Sequence, residues 1–450
     1  MYTTKMARRS TTFRVSGLPA EQPNHTLEAD LLSLIEKNLL DEEKPKIHDD
    51  DTKLTIDIVP SCYDPVKESV ALVDFRNWVP NFLSAMMENQ PEDPGWQAQM
   101  GSKDLNFDCH FFGFTQLYKP KEPVTADIIA IPGLDGHAYG SWKGRGNLSR
   151  MWLRHFLSKD LPHCRTMIYG YDSKISLHAF NTTMDYARGL IEEIKKIRNS
   201  SERPLFFITH GYGGILLAHC LVKAVQIRED SDPMASLYKA TYGILQFATP
   251  NKGMVIDDMK QITEGEENHP RNDLLRDLKL NSSPLIQQLD AFKNLIKDRK
   301  VVSFYETRET RRLELDSNTQ HWRRTGDYFT PVDTNTSLLQ LPDNIEEKIP
   351  AATDHSGIVK FDGQYNATYR SALTKLRQFE QDAPSAISAR FHLQSTTSFS
   401  ESRSTTPVPL VAGELNPGDG WSFYRSMESN GSQDRIEVMD ESSIKERLSE

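Results

Sequence analysis

The stretch FFITHGYGGILLAHC, residues 206–220, constrains this chain more than any other. An apolar run meets three glycines within four residues, and a second apolar run follows at once. The first run has the length of a buried strand, the second reads as a helix, and the glycines mark a tight connection between them. A strand feeding directly into a helix is the building unit of a parallel sheet, because parallel strands need crossovers that lay helices on the sheet faces. The pattern recurs along residues 124–382. ADIIAIPG, TMIYGY, PLFFITH, YGILQFATP and VVSFYET read as strands, alternating with the helical segments MWLRHFLSK, MDYARGLIEEIKKIRN and GILLAHCLVKAVQ. This region is expected to be an α/β domain with a mostly parallel sheet covered on both faces. A charged, helical insertion, residues 253–299, separates the last two strands where a lid would sit.

Upstream, residues 11–118 show a different order. TTFRVSGLP, TKLTIDIVP, ESVALVDF and LNFDCHFFGFTQLY read as strands, with TLEADLLSLIEKNL and WVPNFLSAMME as helices. That βαββαβ order predicts a ferredoxin-like α+β domain, the architecture of RNA-recognition motifs. Base stacking needs exposed aromatics on the two central strands, and Arg14, Val70 and Leu72 stand there instead. Packing or protein contact is therefore the expected role, and no nucleic acid is expected as a partner. Residues 1–10 form a basic, hydroxyl-rich tail with a faint likeness to a mitochondrial presequence, KPKEP at 119–123 is read as a linker, and residues 383–450 as a disordered tail rich in Ser and Thr and then acidic.

The 450 residues suffice for a large core, and the net charge of -10 argues against bulk attraction to nucleic acid or anionic lipid. Cys62, Cys109, Cys164 and Cys220 have no paired spacing and are read as free thiols in a reducing, intracellular compartment, cytoplasmic first, with mitochondrial or endoplasmic-reticulum association as alternatives. The apolar stretch 205–225 is interrupted by His210, His219, Lys223 and glycines, so no transmembrane segment is expected, and membrane contact would be peripheral.

In a strand–turn–helix context, the pattern G-x-S-x-G places a nucleophilic serine on a strained turn above the sheet. Here the five positions are Thr209, His210, Gly211, Tyr212 and Gly213, and the central residue has no side chain to form a covalent bond. Taken alone, such a turn occurs in other α/β proteins too. Further segments follow in order: ADIIAIPGLDGHAYGSW, MWLRHFLSKDLPHCRTMIYGYDS, RPLFFITHGYGGILLAHCLV, YGILQFATPNKGM, VVSFYETRET and ATDHSGIVKFDG. Together, over roughly residues 123–380, they resemble the lipase-like serine esterases abundant in filamentous fungi, relatives of the serine-active-site-containing proteins and the GPI inositol-deacylases. The resemblance implies an α/β-hydrolase fold and hydrolysis of lipid-like esters by a Ser, His and acid triad. Three positions depart from it: Pro132 where a histidine usually begins the loop, Asn251 in the TPNKG segment, and Gly211 for the serine.

By that resemblance His355 is the general base, and the chain order of nucleophile, acid and histidine is respected. Glu306, ending VVSFYE, is either its carboxylate partner or a surface ion-pair residue; Asp354 is the lesser candidate. Backbone amides of Tyr212 and Leu134 would form an oxyanion hole, which needs no side chain. Cys220, His210 and Tyr212 are poor substitutes for the nucleophile: the first is expected to be buried, the second to point away, the third to partly fill the space left by serine. A metal route through Asp135, His137 and His355 lacks short ligand spacing, and no metal or cofactor is expected. The expected function is a pseudohydrolase that binds a lipid-like ester, an acyl group or a protein through the old pocket. The alternatives are hydrolysis by water activated at His355, and a scaffold acting through the N-terminal domain and tail.

Overall fold

The computed structural model describes residues 10–88, 95–198, 202–226, 233–263, 266, 268–316 and 322–401. The N-terminal domain opens with β1 (Ser10–Pro19), the helix Asn24–Asn38, β2 (Leu54–Pro60) and β3 (Glu68–Arg76). A short helical turn over 81–88 leads to β4 (Trp96–Met100) and β5 (Lys103–Asp108). The sheet order is β2-β3-β1-β5-β4, antiparallel throughout. That is the ferredoxin-like order with one further strand, β4, on its edge. Phe13 and Val15 of β1, Ala71, Val73 and Phe75 of β3 and Leu27, Leu31 and Ile35 of the helix fill its core.

The expected last strand of this domain is two strands. β5 ends at Asp108, Phe111 adopts a φ of 59°, and β6 (Gly113–Gln116) then joins the second sheet. The chain therefore passes from the first sheet to the second over residues 109–112. KPKEP, read as a linker, connects β6 to β7 (Ala126–Ile131), two strands of that second sheet.

The second sheet adds β8 (Cys164–Gly170), β9 (Leu205–His210), β10 (Thr241–Phe247) and β11 (Lys300–Glu306). β12 (Thr310–Leu315) and β13 (Trp322–Phe329) form a separate antiparallel hairpin, and β14 (Glu346–Ala351) returns to the sheet. The order is β14-β11-β10-β9-β7-β8-β6, parallel except for β6. Both faces are buried, so the strands read as continuous apolar runs. Along β9, Leu205 and Phe207 face one core and Phe206 and Ile208 the other. The helices Thr183–Ile197, Tyr212–Val225 and Ser283–Leu295 cover the first face; residues 152–157 and the helix Ala367–Glu401 cover the second. That last helix carries Pro384 and buries Ala383 and Ile387, so the ordered chain runs past 382 where a tail was expected. Residues 1–9 and 402–450 lie outside the described residues. Among the described residues no helix is long and apolar enough to cross a membrane, and all four cysteines are buried and outside any disulfide.

The face of the first sheet on which RNA-recognition motifs stack bases is covered here. Arg14 and Leu72 are register partners on it, and Leu72 and Val59 belong to the apolar cluster of the second domain. Arg14 donates to Asp108 at 2.7 Å, to the Phe112 carbonyl at 2.9 Å and to Thr115 Oγ1 at 2.8 Å. Arg154, buried to 4% exposure, reaches from the second domain to Asp74 at 2.8 Å and to Asp57, and donates to the Tyr139 hydroxyl at 2.8 Å. Arg154→Met removes one partner of a buried charge cluster, and since Asp57 is largely exposed and screened, the expected loss is about 3 kcal/mol of unfolding free energy. Urea denaturation of wild type and variant measures it; a loss below about 1 kcal/mol would show that the cluster does not hold the domains together.

Candidate active site

Three strands of the second sheet end in the residues singled out above. Gly211 follows β9 and turns the chain with φ 51° and ψ -125°, directly before the helix Tyr212–Val225. Its N–H donates to the Phe247 carbonyl at 2.9 Å, and its own carbonyl accepts from Gly214 at 3.1 Å. Glu306 is the last residue of β11. His355 lies in the loop after β14, where its N–H donates to Thr310 Oγ1 at 3.1 Å.

Glu306 and His355 meet. His355 Nδ1 stands 3.3 Å from Glu306 Oε2, and neither atom has a hydrogen bond elsewhere. Glu306 is buried, with Oε1 accepting from the Val332 N–H at 3.3 Å, so it is no surface ion-pair residue. Asp354 is turned to other work, its Oδ1 accepting from the Gly357 N–H at 2.6 Å and lying 3.7 Å from Arg145. On the opposite edge of the imidazole, a Cβ built on Gly211 would stand 3.4 Å from His355 Nε2, an ordinary van der Waals contact.

His210 is placed differently from the sequence expectation. Its ring packs on His355 with centroids 5.0 Å apart, and its Nε2 meets the His355 carbonyl at 3.0 Å. A terminal strand residue beside a turn need not keep the alternation of the strand interior, which is why it faces the cleft. Tyr212 also differs: its phenol is buried and donates to Thr183 Oγ1 at 3.0 Å, so it does not fill the space beside Gly211. Burial of its ring pushes the phenol up from its ordinary value. Cys220 is buried in the core, with its thiol pushed up to about 12 by desolvation.

The loop after β7 approaches the turn closely, since a Cβ on Gly133 would lie 3.8 Å from the Tyr212 amide nitrogen. Leu134 follows, and Asp135 takes a φ of 57°. His137 Nδ1 accepts from the Tyr139 and Gly140 amides at 3.1 and 2.9 Å, and its Nε2 lies 2.6 Å from the Cys109 carbonyl. With both nitrogens engaged by backbone, His137 is a loop brace rather than a metal ligand. Asn251 is likewise structural, donating to the Ser337 carbonyl at 2.8 Å.

These residues open on a cleft of about 320 Å³. Leu134, Ile175, Met254, Met259, Ile262 and Leu313 supply its apolar side, and Asp135, Arg324 and Lys360 charged groups. The insertion 253–299 thus contributes Met254, Met259 and Ile262, as its place between strands suggested. Leu313 and Arg324 come from the β12–β13 hairpin, which the sequence reading missed because the charges in TRRLEL and WRRTGDYF hide their alternation.

An edge strand antiparallel to a parallel sheet, the order of the strands and a histidine–carboxylate pair beyond the last two of them decide the architecture. The chain has an α/β-hydrolase fold. No family model matches it. Protein SERAC1 of Danio rerio is 27% identical over 297 residues, which cover 59% of this chain and 40% of that protein. Protein SERAC1 of Homo sapiens is 26% identical over 155 residues, covering 30% and 23%. The chain thus matches less than half the length of these curated relatives. Among solved structures, phospholipase PlaB from Legionella pneumophila aligns with TM-score 0.39 and 14% identity over 62% of this chain and 64% of that one. The mature lipase BlEst2 of Bacillus licheniformis aligns with TM-score 0.36 and 12% identity over 58% and 97%.

Burial, with neighbouring His355 and Lys360, pushes His210 down to about 3. An imidazole in the unfolded chain titrates near 6.5, so the unfolded state binds the extra proton between these values. Stability contributed by neutral His210 is present above about pH 6.5 and is lost as pH falls toward 3. Urea unfolding across that range is expected to weaken on acidification, and His210→Gln to flatten the profile. A profile identical to wild type would show that His210 is not held neutral.

Proposed function

We propose that this protein is a lipase/esterase-like α/β-hydrolase whose nucleophile position holds Gly211 in place of serine, and that it binds an acyl or carboxylate ligand without forming a covalent intermediate. The fungal lipase-like serine esterases are the group to which we assign it. The observation that carries this reading is the position of Gly211: its missing Cβ would stand 3.4 Å from Nε2 of a histidine already backed by Glu306. The base and its acid face a turn that offers them no hydroxyl.

The roles follow from the geometry. The amides of Tyr212 and Leu134 would receive the ligand oxygen, as oxyanion donors receive a tetrahedral intermediate. His355 Nε2 would donate to a carboxylate or hold a water, and Glu306 would fix the imidazole with Nδ1–H toward Oε2. The apolar side of the cleft suits an acyl chain, and Arg324 and Lys360 suit a polar or anionic end. A second reading rests on the same gap: a water held between His355 Nε2 and the Tyr212 amide could attack a bound ester directly, giving slow hydrolysis.

Gly211→Ser separates these. A serine at φ 51° is strained, so the variant is expected to lose about 1–3 kcal/mol of stability, yet its Cβ meets no close contact. It is expected to gain hydrolysis of chromogenic short- and long-chain esters that His355→Ala abolishes and Glu306→Gln lowers by about three to four orders of magnitude. Wild type is expected to bind fatty acid in calorimetry and to turn over no ester. Ester turnover by wild type that depends on His355 would replace the binder with the water-based enzyme, and a folded but inactive Gly211→Ser would sink the disarmed-site reading.

A further inference from the structure

We propose that His178, Glu266 and His269 form a binding site for a zinc-type divalent transition-metal ion, clipping the insertion 253–299 to the loop between β8 and the helix Thr183–Ile197. One ligand atom from each residue lies within 4.8 Å of the other two. His178 Nε2 is 3.2 Å from Glu266 Oε2, and the two imidazole centroids are 4.7 Å apart.

The donor set selects the metal. Two imidazoles and one carboxylate suit zinc, cobalt or nickel, whereas calcium and magnesium favour sets built from oxygen alone. Three protein ligands leave a fourth position for water in a tetrahedral site. Metal bonds of about 2.0–2.1 Å would draw the ligand atoms to about 3.3 Å from one another. The required movement is small, and His178 and Glu266, at 65% and 54% side-chain exposure, are free to make it.

The third ligand is held in place. His269 is buried, its Nδ1 accepts the Arg271 N–H at 3.2 Å, and its ring also bonds the Ser176 backbone, a bond that binding through Nε2 would exchange for the ion. Arg271 is itself buried and donates to the Lys174 carbonyl at 3.2 Å, the Asp172 carbonyl at 3.3 Å and the Tyr186 hydroxyl at 2.5 Å. The two segments are therefore already in register before any ion arrives, and little ordering remains to oppose binding. Ile175 on one segment and Met259 and Ile262 on the other line the cleft above Gly211. The clip would fix that wall of the cleft, a role independent of whether the cleft binds or hydrolyses.

Full-length protein stripped with chelator and titrated with zinc chloride in a calorimeter tests this. The expected result is saturation at one zinc per chain, weakened about tenfold or more in His178→Ala and in Glu266→Gln, with both variants unfolding like wild type when metal is absent. Calcium and magnesium are expected to bind nowhere at this stoichiometry. Zinc is also expected to slow amide exchange in residues 172–178 and 268–277. A wild type that takes up no stoichiometric zinc, variants that bind it as tightly as wild type, or zinc bound without protection of those segments would overturn the proposal.

Discussion

The helix Tyr212–Val225 can begin where it does only because no side chain stands at its second and third residues. A Cβ on Gly213 would lie 2.5 Å from the carbonyl oxygens of Ile131 and Pro132, and one on Gly214 would overlap the Thr249 side chain. The helix start is thereby wedged between the ends of β7 and β10, closer than any side chain allows. That seating brings the Tyr212 amide to the Gly133 loop, and it sets Gly211 on a turn whose φ of 51° only glycine adopts freely. The space in front of His355 is a consequence of this packing. Any reading of the site, binding or hydrolytic, depends on the close seating that Gly213 and Gly214 allow.

The first domain acts on the same region from behind. Arg154 ties Asp57 and Asp74 of its sheet to Tyr139, and Lys143 donates to the Ser10 carbonyl at 2.6 Å. Phe111 stacks on Tyr139 with centroids 5.2 Å apart, while His137 is braced on the Cys109 carbonyl. The loop that would carry the Leu134 amide is thus held between the top of its own sheet and the neighbouring domain. Covering Leu72 and Arg14 removes the surface used by RNA-recognition motifs and turns that sheet into a buttress. A partner for this domain would have to use its other surfaces.

Much of this was legible in the sequence because two periods differ. The strands of the second domain are apolar throughout, those of the first alternate, and helices separate them where crossovers are needed. His355 was assigned by the family resemblance of its DHSGIVKF segment and Glu306 by its place at a strand end, and their side chains stand 3.3 Å apart. What was missed lay where local pattern and tertiary contact part company. A continuous run from Leu105 to Tyr118 looks like one strand, yet Phe111 at positive φ hands its second half to another sheet. The Ser- and Thr-rich, then acidic sequence suggested an end to order at about residue 382, but Ala383, Ile387 and an Arg390 bonded to the Thr241 carbonyl at 2.7 Å hold the helix against the body. His210 was misplaced because strand alternation was carried one residue too far.

The Glu306–His355 pair bears on the choice between a working pocket and a bare scaffold. Removing a carboxylate from water costs several kcal/mol unless charge or hydrogen bonds offset it. Glu306 receives one backbone N–H at 3.3 Å and faces the imidazole across 3.3 Å without forming a hydrogen bond to it, so the offset is incomplete. Packing alone would be served better at this strand end by an apolar residue of similar volume. A chain used only as a platform has no physical need for a buried acid aimed at a histidine, nor for a histidine aimed at an empty turn. A ligand oxygen or a water at His355 Nε2 would supply that need, joining the Glu306–His355 pair in one hydrogen-bonded network. On the proposed reading, the third group of that network is the ligand or water in the cleft, whichever of the two chemistries it undergoes.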